Sequence, residues 1–213
     1  MEAGGQTSPE APYPVEFDVD YPDRDLNRLS TGLRIFAAIP ILIIATLLEG
    51  PYGWGPGSQF VLAAGGTVFL PTVLMIVFRQ KYPRWWYDWN LELLRFESRI
   101  GVYLALMDDR SPSTDERQSV TLEFPYPDAK RDLNRWLPLV KWLLAIPHYI
   151  VLLFLGIAAF FVVVFAWFAI LFTGRYPRGL FDFVLGVLRW GNRVTAYAFL
   201  LVTDRYPPFR LSP

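Results

Sequence analysis

Apolar and charged positions alternate along this chain in long blocks. Between Arg34 and Glu49 lies an uncharged run, Ile35 to Leu48, and a second uncharged stretch runs from Gly50 to Phe78. Their junction, GPYGWGPGSQ (Gly50 to Gln59), is dense in Gly and Pro, the composition of a turn. With about 20 residues needed to span ~30 Å of hydrocarbon, the pattern predicts transmembrane helices over 30–48 and 59–78, forming a hairpin.

A longer uncharged run, Trp142 to Gly174, would reach ~50 Å as one straight helix. It reads either as one tilted span or as two short spans, 136–154 and 157–173, folded tightly at Gly156. Charge placement favours the second hairpin. With two hairpins, Arg28, Arg34, Arg79, Lys81, Arg84, Lys130, Arg131, Arg135, Lys141, Arg175 and Arg178 all fall on one side, and the far loops hold only Glu49. A single span would put Arg175, Arg178, Arg189 and Arg193 outside. The positive-inside rule then predicts a multi-pass membrane protein with both termini cytoplasmic.

Each block ends in an apolar segment with a charged stripe: Asp88, Glu92, Arg95 and Arg99, then Asp182, Gly186, Arg189 and Arg193. At 100° per residue each set occupies one helix face. Two central arginines offset most of the insertion free energy of Leu180 to Val202. Both segments, 85–107 and 180–202, therefore read as amphipathic helices lying in the cytoplasmic interface, the alternative being a third span per block with its stripe facing the bundle. Period-2 alternation at Val15, Phe17, Val19, Tyr21 and at Val120, Leu122, Phe124, Tyr126 predicts two strands that pair in a small cytoplasmic sheet.

The blocks repeat. Tyr21-Pro-Asp-Arg-Asp-Leu-Asn-Arg28 returns as Tyr126-Pro-Asp-Ala-Lys-Arg-Asp-Leu-Asn-Arg135; Ala38-Ile-Pro40 returns as Ala145-Ile-Pro147; Lys81-Tyr-Pro-Arg84 returns as Arg175-Tyr-Pro-Arg178. The organisation expected is an acidic, flexible segment 1–14, a membrane repeat 15–112, a linker 113–119 and a second repeat 120–209. An even number of spans in each makes the repeats parallel, with the pseudo-twofold axis along the membrane normal. The fold class is an all-α membrane protein of two such repeats, each a transmembrane hairpin plus an interfacial helix, with the small β pair.

Composition agrees: of 213 residues 53% are hydrophobic and 17% aromatic, and mean hydropathy is +0.27, too apolar for an ordinary soluble domain. The zero net charge hides an asymmetry, because Met1 to Asp25 carry seven acids against Arg24 alone. Seventeen of the twenty bases are arginine and flank apolar runs, which favours a membrane surface over nucleic acid. No basic n-region precedes an apolar h-region at the N-terminus, so no cleaved signal peptide is expected.

Chemistry is sparse. Zero cysteines and the single histidine, His148, remove thiolate sites and any site needing two imidazoles. His148 could ligate a haem or a pigment through one nitrogen, but the reading preferred is a histidine bonding a carbonyl freed near Pro147. No nucleophile, base and orienter set is visible, so the expectation is a protein that is not an enzyme and has no cofactor or metal. The RDLNR segments read as helix-capping and membrane-anchoring devices, with Asp25 to Arg28 and Asp132 to Arg135 as i,i+3 pairs. Their arginines could also hold lipid phosphate bidentately.

The repeated YPD..RDLNR, the AIPHYIVLLFLGIAAFFVVVFAWFAILFTGRYPRGLFDFVLGVLRW block (Ala145 to Trp190) and the AYAFLLVTDRYPPF ending (Ala196 to Phe209) resemble the DUF4389 family of bacterial membrane proteins. The second half is the closer copy. The resemblance implies a bacterial multi-pass membrane protein in tandem duplication and supplies no catalytic residues.

The function expected is therefore a non-catalytic membrane accessory or scaffold protein. It would pack against a larger membrane complex or itself, and bind anionic phospholipid of the bilayer through Arg28, Arg135, Arg175, Arg178, Arg189 and Arg193. A small oligomeric transporter or channel is the alternative, and a lipid-directed enzyme a third class.

Overall fold

The computed structural model describes residues 12–49, 66–113 and 118–213. It is mostly helical, with one small sheet. In chain order the elements are β1 (Glu16–Val19), α1 (Arg28–Gly32), α2 (Arg34–Glu49), α3 (Gly66–Arg79), α4 (Arg84–Leu104), β2 (Val120–Glu123), α5 (Pro138–Leu144), α6 (Ile146–Thr173) and α7 (Arg178–Ala198). The Gly/Pro-rich turn expected at 50–59 lies outside the described residues, as do 114–117 of the linker and most of the N-terminal segment. Its last part is not loose: the Tyr13 ring is buried and its hydroxyl donates to the Arg205 carbonyl at 3.1 Å.

The alternating segments do form strands, paired antiparallel in the register Glu16↔Glu123, Phe17↔Leu122, Asp18↔Thr121 and Val19↔Val120. The period of two turns Phe17, Val19 and Leu122 into the core and leaves Glu16, Asp18 and Glu123 exposed.

The first RDLNR segment starts a helix, though not through aspartate. Asn27 is the N-cap of α1, its side-chain oxygen accepting from the Leu29 and Ser30 amides at 2.9 and 3.2 Å. Asn134 accepts from the Trp136 amide at 2.9 Å, but that bond lies ahead of the helix: α5 has Leu137 as its N-cap and no side-chain cap. The i,i+3 pair expected of Asp25 with Arg28 is replaced by an ion pair of Asp25 with Arg175 at 2.9 Å, because Asp25 lies before the helix begins.

The tight bend expected at Gly156 is absent. α6 is one helix of 28 residues, running through Gly156 and ending at Gly174, whose φ of 78° makes a left-handed C-cap. A glycine inside a helix costs only ~1 kcal/mol relative to alanine, whereas a break there would strip amides and carbonyls of their partners in apolar surroundings. α6 is the only described helix long and apolar enough to cross a membrane, with mean hydropathy 2.9; α2 and α3 contribute the shorter apolar segments Arg34–Ile44 and Phe69–Arg79. Among the described residues α2 packs chiefly on α1 and α4, and α3 on α5.

One line of α6 faces the protein. Ala145, Tyr149, Leu152 and Leu155 pack with Trp190, Val194 and Tyr197 of α7. Further along, Ala159, Val162, Ala166 and Ile170 join the main core with Phe181, Val184 and Leu185. The rest of α6 is apolar and exposed, whereas α7 is buried over much of its surface.

Candidate functional site: two arginine clusters at helix ends

Two groups of basic and aromatic side chains assemble where long apolar helices stop. The first surrounds the end of α6. The Leu26 amide donates to the Gly174 carbonyl at 2.8 Å, which brings Asp25 and Arg28 over the left-handed Gly174. A Cβ at Gly174 would meet Asp25 at an ordinary contact distance of 3.5 Å, so the left-handed φ and not crowding is what favours glycine there. Arg175 pairs with Asp25, and that hydrogen bond raises its pKa further. The Arg178 guanidinium lies 4.2 Å from the centroid of the Tyr21 ring. Tyr21 in turn donates its hydroxyl to the Tyr176 carbonyl and meets Phe181 edge-on at 5.0 Å.

The second group surrounds the end of α3, where Gln80 adopts a positive φ of 45°. Arg135 Nε donates to the Val77 carbonyl at 2.6 Å. Arg84 lies 4.9 Å from the Tyr126 centroid. Tyr126 donates its hydroxyl to the Tyr82 carbonyl and meets Tyr87 edge-on at 5.1 Å.

In both groups the RDLNR arginine and the Tyr-Pro tyrosine come from one half of the chain, and the Tyr-Pro-Arg segment from the other. Arg28, Arg135, Arg175 and Arg178 are all exposed there. Sequence reasoning found those four but missed Arg84, Tyr21 and Tyr126 as members. Their signal was the repeated Tyr-Pro, which reads as a strand stop until its hydroxyl is seen to reach the opposite half.

Arg189 and Arg193 do not belong to this surface, contrary to expectation. Arg189 is 8% and Arg193 2% exposed. Arg189 donates to the Phe17 carbonyl at 2.9 Å, to Asp18 at 3.0 Å and to the Leu211 carbonyl at 3.2 Å. Arg193 reaches the Arg210 carbonyl at 3.4 Å; burial, followed by the nearby Arg210 and Arg189, lowers its pKa. The stripe of α7 thus ties down β1 and the C-terminal tail, and the protein itself excludes it from headgroups. Arg95 does the same on α4, donating to the Leu122 carbonyl at 3.0 Å. Ser98 and Asn192 hydrogen-bond at 3.2 Å where α4 and α7 meet.

His148 is fully buried. Its Nδ1 accepts from Trp190 Nε1 at 3.0 Å, and its ring stacks on Phe209 at 3.9 Å with Tyr206 at 4.8 Å. These contacts enclose the imidazole, and the histidine fastens the C-terminal tail to α6. Nor does it bond a freed carbonyl, since its acceptor nitrogen is taken by Trp190 and Nε2 has no protein partner. Asp108 is the most heavily engaged acid: burial alone would raise its pKa, but hydrogen bonds from Arg110 and Ser119 hold it below the usual carboxylate range. Among the described residues no cluster of His, Asp or Glu is placed to hold a metal ion.

No curated protein and no solved structure matches the chain. A family model described as a domain of unknown function, DUF4389, matches residues 136–210, the stretch from the start of α5 through the tail that His148 fastens. Over those residues the chain is similar to that family.

Proposed function

We propose that this chain is a non-catalytic membrane module built from two copies of one unit, which binds anionic lipid through the arginine clusters and presents its apolar surface within a larger membrane assembly of the bacterial cytoplasmic membrane. The observation that carries this is the pairing of surfaces at the end of α6. A broad uncharged face stops where Arg28, Arg175 and Arg178 begin, with an aromatic ring under one guanidinium. An uncharged face beside a guanidinium that rests on an aromatic ring is the combination suited to an interface, where acyl chains, aromatic belt and phosphate lie close together.

The matched contacts support the two-copy reading. Arg34 donates to the Asp108 carbonyl and faces Tyr103, while Lys141 donates to the Thr203 carbonyl and faces Tyr197. Asp109 and Asp204 likewise accept from the Asn27 and Asn134 amides. Arginine suits phosphate because its planar fork can bond two oxygens at once, which lysine cannot copy.

The test is flotation of the chain with phosphatidylcholine vesicles, with and without phosphatidylglycerol or cardiolipin. An arginine near an anionic surface contributes about 1 kcal/mol. Changing Arg28, Arg135, Arg175 and Arg178 together to Gln should therefore weaken the anionic preference by up to about 4 kcal/mol, less whatever Arg175 already spends on Asp25. Lysine replacements should recover part of it. If the Gln variant keeps its anionic lipid and whatever protein copurifies after mild solubilisation, the arginines are topology signals and the lipid reading fails.

A further inference from the structure

α6 and α7 run antiparallel and side by side over nearly the whole of α6, since its inward line meets the C-terminal half of α7 at one end and the N-terminal half at the other. β1 follows the same stretch of α7. Tyr13 lies by Arg193, Arg189 reaches Phe17 and Asp18, and Tyr21 lies by Phe181 and Arg178. The outer carboxylates of β1 therefore sit level with the middle of α6.

This placement conflicts with an upright α6. Standing across a bilayer, the helix would carry Glu16 and Asp18 to mid-depth, and the Asp18 side chain is 71% exposed. Ionised acids facing hydrocarbon at that depth are strongly disfavoured. An upright α6 would also separate Lys130, Arg131, Arg135 and Lys141 at its start from Arg175 and Arg178 at its end, on opposite sides of the membrane. A helix lying flat removes both conflicts, keeping all the bases on one side without any hairpin.

The outward face of α6 fits that placement. Phe154, Phe161, Phe165 and Phe172 fall within an arc of about 40° at 100° per residue, and each is between 56% and 78% exposed. The stripe extends over most of the helix, and basic clusters stand at both ends of it.

We propose that α6 lies in the plane of the membrane, with its phenylalanine stripe in the acyl region of a single anionic leaflet and with Arg135 near one end and Arg175 and Arg178 at the other, all at headgroup level. The chain is thus held in one leaflet along α6 and does not cross there, and the strand face bearing Glu16, Asp18 and Glu123 is turned to water. This rests on the membrane reading above, and it specifies the ligand surface as the headgroup and upper acyl layer of one leaflet.

The chain has no cysteine, so single thiols report cleanly. Nitroxides placed at Phe154→Cys, Phe161→Cys, Phe165→Cys and Phe172→Cys in the full chain, reconstituted with phosphatidylcholine and phosphatidylglycerol, give four depths by power saturation. A flat helix gives one common depth. An upright helix centred near residue 160 gives unequal depths, with Phe161 deepest, Phe154 and Phe165 about 8 Å nearer a surface than the helix centre and Phe172 about 18 Å nearer at 1.5 Å per residue, which overturns the proposal. In spheroplasts, an impermeant maleimide should react with Lys130→Cys and Gly179→Cys to the same extent, because both lie on one side. Labelling of one with protection of the other overturns the flat placement while leaving membrane binding intact. A chain that fails to float with the vesicles at all sinks the membrane reading itself, so the two failures are told apart.

Discussion

α6 holds no charged residue in 28 positions and leaves most of its surface exposed, whereas α7 holds Arg178, Asp182, Arg189 and Arg193 in 21 positions and is buried over much of its own. In a protein surrounded by water the two helices would trade places, since apolar area leaves water at about 25 cal/mol per Å². The reversal fits the proposed placement, in which the medium around α6 is not the medium around the sheet. It also says how a charged helix comes to be interior. The guanidinium of Arg189 arrives with three acceptors already fixed by β1 and the tail, so its burial leaves few protons unmet.

The largest effect on stability is expected from taking away that satisfaction. Arg189→Ala leaves the Phe17 and Leu211 carbonyls without this donor, while the exposed Asp18 stays solvated, and should cost about 2–3 kcal/mol. Arg178→Ala, on the same helix but exposed, should stay within about 0.5 kcal/mol. Thermal unfolding in mild detergent compares them, and equal losses would break the contrast between inner and outer charge. Next is a charge added to the outer helix. Phe161→Asp should cost roughly 2.5–3.5 kcal/mol if the site is deep in hydrocarbon and less if it is shallow, seen as lost flotation with unchanged circular dichroism. An unaltered distribution between vesicles and buffer would mean that this face meets water. The smallest effect sharpens the description of α6 itself. Gly156→Ala meets open space at its Cβ and should stabilise the helix by roughly 0.5–1 kcal/mol. A loss there would point to a bend that the continuous helix does not have.

How much of this was legible along the chain depends on the range of the interaction. The strands were legible because their alternation at Val15 to Tyr21 and Val120 to Tyr126 is a local period, and the first cap in part, because a capping side chain such as Asn27 acts on amides two and three residues away, although the aspartates looked the better candidates. Gly156 misled because one-sided bases seemed to demand a hairpin; the sequence does not say that a helix can satisfy the same bias by lying flat. Arg189 and Arg193 misled for a different reason. Their cost in a membrane was weighed for an isolated helix, and the Phe17 carbonyl that receives Arg189 lies 172 residues away. The clusters were half legible. Arginines beside apolar runs stood out, but the crossing of Tyr21 to Tyr176 and Tyr126 to Tyr82 is a tertiary fact that no spacing encodes.

That crossing sets a timetable for the chain as it is made. Tyr21 waits 155 residues for Tyr176, Phe17 waits 172 for Arg189, and Tyr13 waits 192 for Arg205. At 5–20 residues per second, synthesis keeps β1 without its dock for roughly 10–30 s. During that time β1 offers an alternating apolar edge of the kind that recruits stray strands. Exposed Glu16, Asp18 and Asp20 alternate with its apolar residues and repel another acidic strand while it waits. The first half leaves the ribosome as an unfinished object: β2 can pair with its strand about halfway through synthesis, but the helix that carries Arg189 closes over it only near the end.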